Sequence, residues 1–167
     1  MGFKKTSETI AVSFGLTETA ANTFTQEEIA LQLDILNNEI FVVLAVDLDC
    51  QVPDAVAGTN TSVSASMCST TQLSVQRLDN TNCLATAQIA MQSSAPTNAV
   101  GFSRGARESY TGDVDYIGLI ATNNFFIQVD GNNNLAAKAV TGRVWGYRAK
   151  ADSSTYAALV QSEVLSA

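Results

Sequence analysis

Asp47 and Asp49 stand two residues apart in a β-rich stretch, and in an extended chain that spacing turns both carboxylates to one face. Asp113 and Asp115 repeat the spacing. Paired carboxyls hydrolyse glycosides when they flank the scissile bond across a cleft. Aromatic residues make up only 7% of this chain and Trp145 is its one tryptophan, so the pattern does not complete such an active site. The same acids suit a hard cation, which wants several oxygen ligands. Asp47, Asp49 and Asp130 are the calcium candidates, with Asp54 and the turn Asp130-Gly131-Asn132-Asn133-Asn134 as further oxygen donors. That turn lacks the spaced acids and closing Glu of an EF-hand, and ordinary turn chemistry explains Asp-Gly-Asn without an ion.

The chain has no histidine, which removes the commonest general base and the usual metal ligand, and with them the Ser-His-Asp and Cys-His arrangements. Cys50, Cys68 and Cys83 form no Cys-x-x-Cys pair, and their odd number argues for free buried thiols over a disulfide framework. Ser103-Arg104-Gly105-Ala106-Arg107 lacks the spacing of a phosphate loop. No catalytic residue and no cofactor is therefore expected.

Charged residues are 15% of the chain, well below the roughly 25% of an ordinary soluble domain. Ser, Thr, Asn and Gln take their place, giving a neutral polar exterior that copies of the chain can bury against one another at small desolvation cost. The net charge of −7 repels nucleic acid, and Lys4-Lys5 falls far short of a genome-binding arm. The arginines towards the C-terminus, Arg143 and Arg148 among them, read as solvated or paired charges. Behind Lys4-Lys5 there is no apolar run of about 7–15 residues, so no signal peptide is expected and synthesis in the cytoplasm is. No run approaches the roughly 18 apolar residues of a membrane span.

The elements that would position these residues are mostly strands. Ile29 to Ile35 alternates apolar and polar residues with period two, although Thr25-Gln26-Glu27-Glu28 also resembles a capping box and leaves a helix as the rival. Asn37-Asn38 suits a tight hairpin turn into Glu39–Cys50, a strand apolar on both faces at its centre. Further strands are expected over Thr61–Cys68, Thr71–Arg77, Asp115–Thr122, Phe125–Asp130 and Ala139–Lys150. Leu84 to Met91 reads as a strand or a short helix, and Ser93 to Gly112 as a long irregular connection. Asp152 or Ser153 can cap a C-terminal helix within 152–165. The expectation is an all-β, two-sheet antiparallel sandwich of jelly-roll type closed by that helix: a polar arm over 1–22 and one domain over 23–167.

In the order of its features the chain resembles the single-jelly-roll capsid proteins of icosahedral viruses, particularly environmental bacterial or archaeal viruses. The residues that carry the resemblance are the N-terminal arm, the Ile29–Cys50 strand pair, the Ser/Thr/Asn-rich middle, Tyr116 to Val129, and Val144-Trp145-Gly146-Tyr147-Arg148-Ala149-Lys150 with the terminal helix. The resemblance implies a virion shell subunit that assembles with its own copies and with other capsid proteins. A filament subunit and a carbohydrate-binding sandwich are the competing functions.

Overall fold

The computed structural model describes residues 2–95, 98–105 and 115–166. They form β1 (Phe3–Lys5), β2 (Ile10–Thr17), β3 (Thr25–Ala30), β4 (Glu39–Cys50), β5 (Thr61–Cys68), β6 (Cys83–Ala95), β7 (Asn98–Gly105), β8 (Gly118–Ile120), β9 (Asn124–Asn132), β10 (Ala139–Ala151) and α1 (Ser153–Leu165). One sheet runs β2, β10, β4, β8, with β1 beside the far end of β10; the other runs β3, β9, β5, β6, β7. Every pairing is antiparallel.

Setting β1 and β7 aside, eight strands remain, and they pair from the outside inward: β2 with β10, β3 with β9, β4 with β8, β5 with β6. That is one long hairpin folded on itself. Rolling it so that β10 also pairs with β4, and β9 with β5, splits it into two facing sheets. The result is a jelly roll. Phe14, Phe41, Phe125, Met67, Ile127 and Val144 fill the space between the sheets, with the Phe14 and Phe125 rings edge to face at 5.6 Å.

β4 shows why a strand can be apolar on both faces. Val43 pairs with Gly146 and Ala45 with Trp145, so Leu44 is an extra residue that reverses the alternation. Phe41 and Val43 point inward before it, and Val46, Leu48 and Cys50 after it. On the outer face Ile40 and Val42 are covered by α1 through Tyr156, Leu159 and Val160, with Phe3 and Tyr116 beside them. The capping expectation for α1 holds: the Asp152 side chain accepts from the Thr155 amide at 2.7 Å.

Several boundaries differ from the sequence expectations. The strand placed at 29–35 is Thr25–Ala30, after which Leu31 and Leu33 are buried and Ile35–Asn37 makes one 3₁₀ turn. Asn38 adopts the expected left-handed conformation (φ 56°), but β3 and β4 lie in opposite sheets, so the turn is a crossover and not a hairpin. Thr71–Arg77 is no strand, because its amides find side chains instead of a neighbouring backbone: Gln72 donates to Gln26 and Gln76 to Ser66. Leu84 to Met91 lies within strand β6. The supposed irregular connection contains the end of β6 and all of β7, whose glycines are tolerated at the end of a sheet. Residues 3–5 and 10–17, read as an arm, pair along β10.

Candidate functional site

The outer face of the first sheet divides in two. α1 covers the half around Ile40 and Val42, and the other half opens as a groove of about 310 Å³ lined by Ser13, Asp47, Asp49, Thr141, Arg143 and Trp145 over Phe14 and Gly142. Register assembles it. Arg143 lies opposite Ser13 on β2 and Asp47 on β4, and Thr141 lies opposite Asp49. Trp145 lies opposite Ala11 and Ala45, whose small side chains leave the indole room. The Arg143 Nε donates to Ser13 Oγ at 3.0 Å, and its guanidinium sits 5.9 Å from the Trp145 ring centre. Gly142 is required here, since a Cβ would come within 2.6 Å of the Phe14 ring and 2.8 Å of the Asp47 carbonyl oxygen.

Asp47 and Asp49 therefore share one exposed face, as their spacing implies. Asp130 does not join them. It projects from β9 in the other sheet, in a small depression with Ser62, Ser64 and Arg77, where burial and then the neighbouring Glu18 charge hold its carboxyl above the usual range. Asp54 is engaged elsewhere: it accepts from the Lys138 ammonium at 2.6 Å and from the Leu135 and Ala136 amides. Among the described residues no three Asp, Glu or Cys side chains converge as ligands for one metal ion, so the three calcium candidates do not form a single site. Asp113 and Arg107 lie outside the described residues.

Two features escaped sequence reasoning because their parts are far apart in the chain. Glu18, buried, accepts the amides of Thr23 (3.0 Å), Gly131 (2.7 Å) and Lys138 (2.8 Å), tying three segments at one end of the sandwich. Asn134 adds bonds to Asn22, Asp54 and Ser62. On the outer face of the second sheet, residues 69–82 form a strap over a neutral polar layer. Gln128, fully buried, donates to Gln26 and accepts from Ser66 at 2.6 Å. Only an alternation interrupted by Gln26 and Gln128 hinted at this layer.

The exposed apolar residues gather on the connections. Leu36 is 95% exposed at the end of the sandwich where β3 finishes and Leu73 is 96% exposed on the strap over the second sheet; Leu135, at 77%, lies at the opposite end from Leu36, and Leu165, at 75%, closes α1. No described helix is long and apolar enough to cross a membrane.

Jelly rolls of this connectivity build viral capsid, lectin and cupin domains, so the fold is capsid-like without being particular to capsids. No protein-family profile matches the chain. No curated protein matches it in sequence. Among solved structures, one described as Desmodium yellow mottle tymovirus is similar over 84% of this chain and 87% of its own, at 10% identity and a TM-score of 0.30. The jelly roll itself rests on the strand pairing and not on that likeness.

Proposed function

We propose that this chain is a self-assembling structural subunit, the shell protein of a viral capsid, with no catalytic role. The observation that carries the reading is the placement of strongly exposed leucines on the connections of a jelly roll, at both ends and on the strap. Leu36, Leu73 and Leu135 contribute nothing to the subunit's own core, whereas burying each between copies would contribute about 1.5–3 kcal/mol. The low charge supports the same contacts, because a neutral polar exterior can be desolvated cheaply. Symmetry then multiplies each contact around a closed particle. With a net charge of −7, the subunit leaves genome contact to other capsid components.

A second reading has one observation in its favour. The Trp145 groove joins an aromatic side chain to carboxylates, a guanidinium and hydroxyls, the kit with which a carbohydrate-binding sandwich holds a sugar ring.

Light scattering and negative-stain microscopy of nucleic-acid-free protein over a salt series separate the two. Closed particles that persist into high salt are expected. Collapse with rising salt would mean that screened charge pairs, and not neutral contacts, hold the copies together, and filaments would mean open helical symmetry. A monomer at every concentration would remove the shell reading and put the sugar module first, to be checked by quenching of Trp145 fluorescence with neutral oligosaccharides.

A further inference from the structure

Cys68 ends β5 and Cys83 begins β6, and the two are register partners across the antiparallel ladder. Directly opposed residues of such a ladder have Cα atoms about 4.5 or 5.5 Å apart and side chains on the same face. Both separations fall within the roughly 4.4–6.8 Å that a disulfide spans. The register owes this to a bulge: Met67 pairs with Ala85, so Leu84 is the extra residue that brings Cys83 opposite Cys68. Both cysteines are buried free thiols, and each shifts the other's ionisation, while the Cys83 thiol donates to the Ala85 carbonyl at 3.4 Å.

We propose that Cys68 and Cys83 are a built-in oxidation site whose reversible disulfide clasps the 69–82 strap onto the outer face of the second sheet. The segment between the two cysteines is the strap itself, whose Gln72 and Gln76 amides donate to Gln26 and Ser66. A bond at its base would close this long irregular excursion between two paired strands. The third thiol does not compete: Cys50 lies in the other sheet, where burial and then the Asp49 charge push it up to about 12 and keep it protonated.

The chemistry balances with a low-molecular-weight disulfide such as oxidised glutathione as the oxidant. Cys83, the more exposed of the pair at 8%, is the attacking group, and its thiolate is favoured by the hydrogen bond from Cys68. It displaces one glutathione thiolate, which takes up the proton Cys83 released, and a mixed disulfide forms. Cys68 then gives up its proton and attacks the Cys83 sulfur, and the second glutathione leaves. Two protein thiols are oxidised by two electrons and one glutathione disulfide is reduced to two thiols. The pair stays reduced in a reducing cytoplasm and closes in an oxidising medium.

The test uses the full-length protein held in reduced or in oxidised glutathione, alkylated, and read by intact mass and peptide mapping. Oxidation is expected to remove two hydrogens, leave Cys50 as the sole alkylatable thiol, and yield a linked Cys68–Cys83 peptide. Closing a loop of about 15 residues should raise Tm by roughly 6–12 °C, reversibly with dithiothreitol. The Cys50→Ser variant should behave identically, and Cys83→Ser should show no reductant-dependent shift. Three alkylatable thiols after prolonged oxidation, including in urea just below the unfolding transition, would overturn the proposal. So would a glutathione adduct on Cys83 that Cys68 never displaces, or a disulfide that lowers Tm.

Discussion

Glu18 shows how one buried carboxylate can hold an end of the fold, since three amides from separate segments converge on it. Replacing it with alanine leaves those donors without their acceptor, and Glu18→Ala is expected to cost about 2–4 kcal/mol in urea unfolding. Glu163 is the pH-sensitive counterpart. Burial pushes its carboxyl above the usual range, and the amides of Ala121 and Thr122, which it accepts at 2.8 and 3.2 Å, offset part of that push. A raised acid favours the fold while protonated, so its contribution is complete below pH 4.5 and is lost as pH rises through the raised value. Asp54 and Asp152 act oppositely: their carboxyls are held low, the first by the Lys138 ammonium and the second by the Thr155 amide, and their contributions are lost only below pH 3.8. The stability of wild type minus that of Glu163→Gln should therefore fall between pH 4.5 and 7. A flat difference across that range would contradict the assignment.

At the scale of elements, β10 and α1 organise the first sheet. β10 pairs with β2 and β1 on one side and β4 on the other, and close packing requires it to carry glycine at two inward positions. At Gly146 a Cβ would lie 2.3 Å from the Val42 carbonyl oxygen and 2.6 Å from the Phe41 ring. The backbone atom cannot rotate away, so Gly146→Ala is expected to destabilise by about 3 kcal/mol. Arg148, near the end of the same strand, is a paired charge, as expected, and also braces a turn. Its guanidinium donates to the carbonyls of Leu31 and Gln32 and to Glu39, bracing the crossover in which Gln32 and Asn38 have positive φ. α1 is short and has little amphipathic character of its own; its place is set by Tyr156, Leu159 and Val160 on Ile40 and Val42. Truncation before Asp152 should uncover that patch, lower stability by about 3–6 kcal/mol and increase binding of a hydrophobic dye.

For the whole molecule, the nesting of strands means that the first long strand waits for the last, since β2 pairs with β10. Loop closure over nearly the entire chain precedes those contacts, so refolding of the monomer should take milliseconds to seconds or longer. Stopped-flow fluorescence of Trp145, which sits on β10 beside β2, reads that step directly. Assembly has a separate signature. Changing Leu36 and Leu73 together to serine removes side chains that are 95% and 96% exposed, so Tm should hardly move and unfolding free energy should stay within about 0.5 kcal/mol. The particle size seen by light scattering should nevertheless drop. A particle that forms normally would mean that these two leucines lie off the interface.

The amino-acid order alone carried the class of fold, because period-two alternation, β-branched runs and Asn-rich turns are local signals. It located most of the long strands, the helix and its Asp152 cap, and the shared face of Asp47 and Asp49. It could not say which strands pair. The Asn37-Asn38 turn looks the same whether it joins neighbours in one sheet or crosses between two, and only packing of both faces of β4 decides for the crossover. Thr71–Arg77 alternates like a strand, yet the side chains of Gln26 and Ser66 bind its amides and make it a strap. Glu18 reads as an ordinary surface acid until residues more than a hundred positions away bring it their amides. The separation of Asp130 from Asp47 and Asp49, and the meeting of Cys68 with Cys83, were likewise decided by register between strands, a property of the pair that neither strand's own residues contain.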